Sequence, residues 1–328
     1  MVNVDAGGGD RLALAVLAQY RMATTEQLHL LITPGVRIEQ TRRRLAKLRV
    51  EGLVDRVTLA QAGRTRVWFA TEYGAQVAAQ LPELRDWQPS RLAADRTVVR
   101  LKAGHGLTVT EVGLAFVQDA RRRGEVCRPL DWIPEVHHPL GSGEAVIPDA
   151  LLYYRRGSGE EWSMLRAFIE VDRATMGPER LAAKISAYAR LHGYAPVPVG
   201  RSRQAFMAPP EESWRRRYPV FPRLLFVLDN TGPTGVRNRL QALHAAARNI
   251  GLPPRRSRPG RGDGRPAARR PLSTRMAPRP RSRPARELDA LPGDLTTNPT
   301  TSPSPPTTDP TTQVTALHGR TWCSPLCA

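Results

Sequence analysis

The sequence predicts an α+β chain: three short helices and a β-hairpin, then a larger α-β-β-β-α-β-α unit, then a tail without a fold of its own. Three observations predict it. Apolar residues recur at helical spacing in three successive segments before Gly52 and alternate with period two directly after it. Farther on, amphipathic helical patterns alternate with strand-like apolar runs bounded by turn residues. After Leu252 the composition changes to Arg, Pro, Gly, Ser and Thr, which cannot bury enough apolar surface to offset chain entropy. A chain of 328 residues has room for about two domains. The expected bounds are 10–82 and 104–251, joined by a linker at 83–103, where the stretch 81–95 carries two prolines and mixed charge, with a disordered tail over 252–328.

In the first unit, Asp10 is placed to cap a helix with Leu12, Val16, Leu17 and Tyr20 on one face. Thr24 or Thr25 caps a second helix, which Pro34-Gly35 breaks. The third runs from about Arg37 to Glu51, apolar at Ile38, Leu45 and Leu48, and Gly52 ends it. Leu53–Leu59 and Val67–Ala70 alternate like strands around a turn at residues 61–64, and a helix follows over 73–81. Three helices and a basic hairpin in this order form a winged helix-turn-helix, in which the third helix enters the major groove and the wing touches the backbone. With Leu45 inward, Gln40, Arg43 and Lys47 project from the opposite face, flanked by Arg42 and Arg44. Gln40 and Arg43 are types that read base edges; Lys47, with Arg64 and Arg66 of the hairpin, suits phosphates. The plainer reading is an ordinary solvated basic face.

The second unit opens with an amphipathic helix over 107–123. Strands are expected around 133–138, 146–154 and 163–171, the last two joined by the turn Gly157-Ser158-Gly159. A helix from Gly177-Pro178 to His192, a buried-type strand at 224–228 and a helix over 236–249 complete it.

Charge narrows the partner. The net charge of +19 and pI near 11.1 imply a polyanion, nucleic acid before anionic membrane. Among the cations only Lys47, Lys102 and Lys184 are lysine. Three cysteines, an odd number, argue against a disulfide scaffold and for a reducing cytoplasm. The N-terminus does not read as a signal peptide, and no apolar run reaches membrane-spanning length. A phosphate loop and a nucleophile elbow are both lacking, so ATPase and serine-hydrolase chemistry are unsupported. Adjacent His137 and His138 would point to opposite strand faces and do not form a relaxase metal site.

The chemistry concentrates between Pro148 and Tyr188. Pro148-Asp149 starts one strand and Ile169-Glu170-Val171-Asp172 ends the next, so Asp149 and Glu170 can approach at neighbouring positions. Paired carboxylates on adjacent strands suit Mg²⁺, which needs few protein ligands. Alternation puts Asp172 on the face of Glu170 and Phe168, and two acids there need a cation or a basic partner. The structural alternative is an ion pair with one of the many arginines.

This segment resembles the PD-(D/E)xK nucleases, with Asp172 standing where the motif has lysine. Together with the winged segment, His105-Gly106-Leu107, Glu170-Val171-Asp172-Arg173, Thr175, Lys184 and Tyr188, the chain resembles the replication-relaxation family of actinobacterial plasmids and conjugative elements. The resemblance implies a restriction-endonuclease-like core. It also implies Mg²⁺-assisted nicking of double-stranded DNA, with Asp149, Glu170 and Asp172 as metal ligands and Lys184 supplying positive charge. Lys184 and Tyr188 share a helix face, as the Gln-x-x-x-Tyr pair of exonuclease-type relatives does. His105 and Glu111 stand as accessory candidates beside plainer structural readings. Three functions remain open: a Mg²⁺-dependent nicking endonuclease, a noncatalytic DNA-binding replication accessory protein or regulator that keeps the fold as a scaffold, and an RNA or nucleoid binder acting through the tail beyond Leu252.

Overall fold

A computed structural model describes residues 9–60, 63–84, 96–159, 161–196, 211–250 and 316–317. Helix α1 (Gly9–Tyr20) is followed by a two-residue strand β1 (Ala23–Thr24), α2 (Thr25–Ile32) and α3 (Ile38–Val50). Thr24 accepts a hydrogen bond from the Gln27 amide while Gln27 returns one to the Thr24 amide, a capping box that fixes where α2 begins. Strands β2 (Val54–Leu59) and β3 (Thr65–Ala70) form the hairpin, and β1 adds on the far side of β3. This is the helix and hairpin order the sequence predicts. Thr71 caps α4 (Glu72–Ala78) by accepting from the Gly74 amide.

Helix α5 (Arg96–Arg123) corrects the expected linker. Residues 96–103 are its first two turns, 82–84 form a short 3₁₀ turn, and 85–95 lie outside the described residues. The reason is a buried stripe, Val99, Ala103, Thr110, Leu114 and Val117, that runs the length of α5. Its first two residues pack with Met22, Val57, Val67 and Phe69 against the hairpin. Glycines that look like breaks are packing sites instead. A Cβ at Gly106 would lie 2.7 Å from Met22 Sδ, and one at Gly113 would lie 2.8 Å from the Trp132 ring.

The second sheet runs β10-β9-β8-β7-β4, from β4 (Trp132–Pro134), β7 (Ala150–Ser158), β8 (Glu161–Asp172), β9 (Arg223–Leu228) and β10 (Ala316–Leu317). β4, β7 and β8 are antiparallel; β9 and β10 join in parallel. The strand expected over 133–138 is two strands, divided at Glu135, whose φ is +51°. Its second half, β5 (His138–Gly141), pairs with β6 (Glu144–Val146) in a separate hairpin. The strand expected over 146–154 is likewise divided, between β6 and β7 at Ile147–Asp149. Helices α6 (Pro178–Gly193) and α7 (Pro233–Asn249) pack on each other and on an aromatic cluster at Phe168, Tyr188, Tyr218 and Trp214.

The two expected domains share one core. Leu14, Leu17 and Leu28 of the helical part belong to the same apolar cluster as Trp132, Leu152 and Ile169 of the sheet. The described residues fall within one compact unit, and the other unit, 256–309 with residue 328, lies outside them. Hydrogen bonds cross the expected boundary: Gln19 Nε2 donates to the Leu130 and Trp132 carbonyls at 2.9 and 2.8 Å, and Thr110 Oγ1 to Met22 O at 2.9 Å. The expected tail lies outside the described residues except for Ala316–Leu317, which pair in parallel with Phe226–Val227.

Candidate functional site

The β7–β8 register determines the site. Ala150 pairs with Ile169, so one further step sets Asp149 opposite Glu170 where β7 begins. Pro148 cannot donate a ladder hydrogen bond, and the Asp149 side chain takes over part of the pairing: its Oδ2 accepts the Val171 amide at 2.7 Å. Its Oδ1 accepts from His105 Nε2 of α5 at 3.0 Å. Burial alone would raise the Asp149 carboxyl, but the His105 hydrogen bond, then the charge of Lys184, hold it below the ordinary carboxylate range.

Glu170 is the deeper acid, 3% exposed at its side chain. Tyr188 Oη donates to its Oε1 at 2.6 Å, and Lys184 Nζ donates to Oε2. Both donors come from one face of α6, four residues apart, as the sequence spacing requires. Burial pushes the Glu170 carboxyl up to about 7; Lys184 opposes that rise and the like charge of Asp149 adds to it. The Lys184 ammonium would be lowered by burial, but Glu170, and then Asp149, hold it above the usual lysine range. Tyr188 is raised well above its ordinary value by burial and by the Glu170 charge, so its hydroxyl stays a donor. Its ring stacks on Phe168 at 5.4 Å, which fixes the hydroxyl under Glu170.

Asp172 does not join these groups as a third metal ligand, and the metal and catalytic expectation for it is corrected. One of its oxygens receives Arg239 Nε of α7 and the other accepts the Ala174 amide at 3.0 Å. The acid is 1% exposed and the arginine 10%, so both charges are out of water and satisfied by each other. Local sequence did not single out this partner, which lies 67 positions away on the helix expected over 236–249. Among the described residues no group of three His, Cys, Asp or Glu side chains could hold a metal ion. What remains is a two-carboxylate set, Asp149 and Glu170, with Lys184 in its field. That donor set fits Mg²⁺, which completes its shell with water and phosphate.

The accessory residues divide. His105 and Tyr188 touch the two acids. Glu111 does not: its Oε2 accepts from Gln27 Nε2 at 2.8 Å, an inter-helix tie between α5 and α2. A cleft of about 380 Å³ opens beside Asp149, lined in part by Met22, Lys102, His105, Pro134 and Ile147.

The DNA-facing expectations divide as well. Gln40, Arg42 and Arg43 are exposed on α3, and Arg64 and Arg66 on the hairpin. Arg42 pairs with Glu39 at 3.2 Å within its own helix. Arg44 and Lys47 point back to α1, at 3.0 and 2.8 Å from the two oxygens of buried Asp10. Asp10, expected as a cap, is therefore the anion that holds α3 against α1. Arg44 is corrected from a DNA contact to a structural ion pair, and Lys47 has the same tie.

A family model described as Replication-relaxation matches residues 14–198, which takes in the winged segment and everything from Asp149 to Tyr188 but stops before Arg239. No curated protein matches the chain. Among solved structures, a double mutant of Lactococcus lactis ZitR in apo form is similar over 35% of this chain and 80% of its own, at 15% identity and a TM-score of 0.22. Among the described residues no helix is long and apolar enough to cross a membrane.

Proposed function

The chain belongs to the replication-relaxation family, and from that premise we propose that it binds double-stranded DNA and nicks it by Mg²⁺-assisted phosphodiester hydrolysis. The observation that carries the reading is the meeting of Asp149, Glu170 and Lys184 at one end of the β7–β8 pair. Two facing carboxylates repel each other, and Glu170, held near 7, loses its proton more readily when a cation arrives. Asp149 and Glu170 would hold Mg²⁺, which supplies Lewis-acid stabilisation of the phosphoryl oxygens. His105 and the Val171 amide keep the Asp149 carboxylate in one orientation. Tyr188 does the same for Glu170, and Lys184, once shared with a phosphate, offsets the charge that develops there. Gln40 and Arg43 of α3, with Arg64 and Arg66 of the hairpin, form the duplex-binding face in this reading.

The test is relaxation of supercoiled plasmid in Mg²⁺. The native chain should convert it to open circles, and Asp149→Asn should abolish that while leaving duplex binding intact. Equal nicking by the variant would reject the assignment.

One observation favours the second reading, a noncatalytic DNA-binding replication accessory protein. Asp172 is consumed by Arg239, and Lys184 already neutralises Glu170. That reading is upheld if the native protein binds plasmid but leaves it supercoiled in both Mg²⁺ and Mn²⁺.

A further inference from the structure

The β7–β8 hairpin runs beyond the sheet that anchors it. Among the described residues, β8 pairs with β9 over 167–172 and β7 with β4 over 150–152, so residues 153–158 and 161–166 continue as a two-stranded ribbon. One bridge from Val126 to Arg155 steadies it. Strand alternation sends Tyr153 and Arg155 to one face with their cross-strand partners Arg166 and Met164. Trp162 joins that face opposite Gly157.

The composition of the face points to a ligand. Trp162 is 51% exposed, an uncommon position for so large an apolar ring. The Arg155 guanidinium lies 5.5 Å from the Trp162 ring centroid and the Arg166 guanidinium 5.7 Å from that of Tyr153. Among the described residues neither arginine has a carboxylate partner, and Arg155 Nε is buried without an acceptor. Glu161 alternates onto the opposite face, and Glu125, whose carboxylate accepts from the Gly157 amide and the Tyr154 hydroxyl, forms no ion pair with either arginine. The aromatic groups stand four register steps apart, about 13 Å along the ribbon.

We infer that this face docks unpaired DNA, with a base stacking at exposed Trp162, half-buried Tyr153 bounding the face, and phosphates held by Arg155 and Arg166. Cations interleaved with exposed aromatic rings suit single strands because an unpaired base offers its π-face. In a duplex those faces are covered by neighbouring base pairs and only edges can be reached, so an exposed indole gains little there. The surface is separate from α3 and the wing, and the inference holds whether or not the chain cuts DNA.

The experiment uses the full chain and fluorescence anisotropy at raised salt, which weakens nonspecific phosphate contacts. The probes are a labelled unpaired oligonucleotide of about 20 nucleotides and the duplex of the same sequence. Trp162→Ala and the pair Arg155→Glu, Arg166→Glu should each weaken single-strand binding about ten-fold and leave duplex binding unchanged, while Trp162→Phe keeps most of it. Wild-type single-strand affinity in Trp162→Ala, or parallel loss of duplex affinity, overturns the inference. As an independent readout, photocrosslinking a 4-thiothymine oligonucleotide to the native chain should place the adduct within 153–166. An adduct confined elsewhere also overturns it.

Discussion

Replacing Arg239 with methionine leaves the Asp172 carboxyl buried and without its ion-pair partner. The acid is 1% exposed and the arginine 10%, so solvent screens the pair little. Removing one partner of a buried pair costs about 3–5 kcal/mol, because the remaining charge keeps its desolvation penalty and loses its compensation. Arg239 also donates to the Met176 carbonyl at 3.0 Å, so the variant releases the loop between β8 and α6 from α7. For a unit of this size the expected fall in Tm is roughly 10 °C. Asp172→Asn keeps an oxygen for the Ala174 amide, and the double variant Asp172→Asn, Arg239→Met removes both charges together. It should recover about 2 kcal/mol or more relative to the sum of the single losses. Urea unfolding of the four proteins measures the coupling. Losses that add to within about 0.5 kcal/mol would refute the claim that Asp172 exists for Arg239.

Two further predictions concern titration and binding. Glu170 has its folded pKa raised to about 7 from 4.5, so it removes stability, about 3 kcal/mol, as pH climbs between those values. His138, lowered by burial from 6.5 to about 4 and hydrogen-bonded to Tyr218, does the reverse and adds stability as pH climbs through its own window. The two slopes oppose each other in the native chain. Glu170→Gln should therefore show stability rising from pH 4 to pH 6.5, and His138→Phe should show it falling from pH 4.5 to pH 7. Parallel pH profiles for the two variants would contradict the assigned burial effects. On the helical face, Arg43→Glu should weaken duplex binding about ten-fold with an unchanged Tm. Arg44→Ala should instead lower Tm through the lost Asp10 pair, and a gel-shift titration with a thermal scan separates the two.

How much was legible beforehand follows from the range of the forces involved. Tyr188 and Lys184 reach Glu170 together because i and i+4 side chains share a helix face, a rule that operates within one turn. The opposition of Asp149 and Glu170 follows from a short turn between two strands, which is again local. Arg239 at Asp172, and Asp10 at Arg44 and Lys47, were illegible because each joins elements distant in sequence and nothing in the local pattern distinguishes these arginines from the others. The sequence predicts helix only over 107–123, whereas α5 begins at Arg96, with Arg173 and Met22 occupying the space beside Gly104 and Gly106.

By itself the sequence determined the order of the helices, the basic third helix and the hairpin after it, and the placing of two acids, an amine and a phenol within one short stretch. Periodicity and turn chemistry are properties of neighbouring residues, so they survive in one dimension. Only the tertiary structure decided that the expected linker is helix, that both halves share one core, and that Asp172 and Arg44 answer to buried ion pairs. Partner choice between distant charges depends on which faces burial brings together, and that is settled when the chain packs.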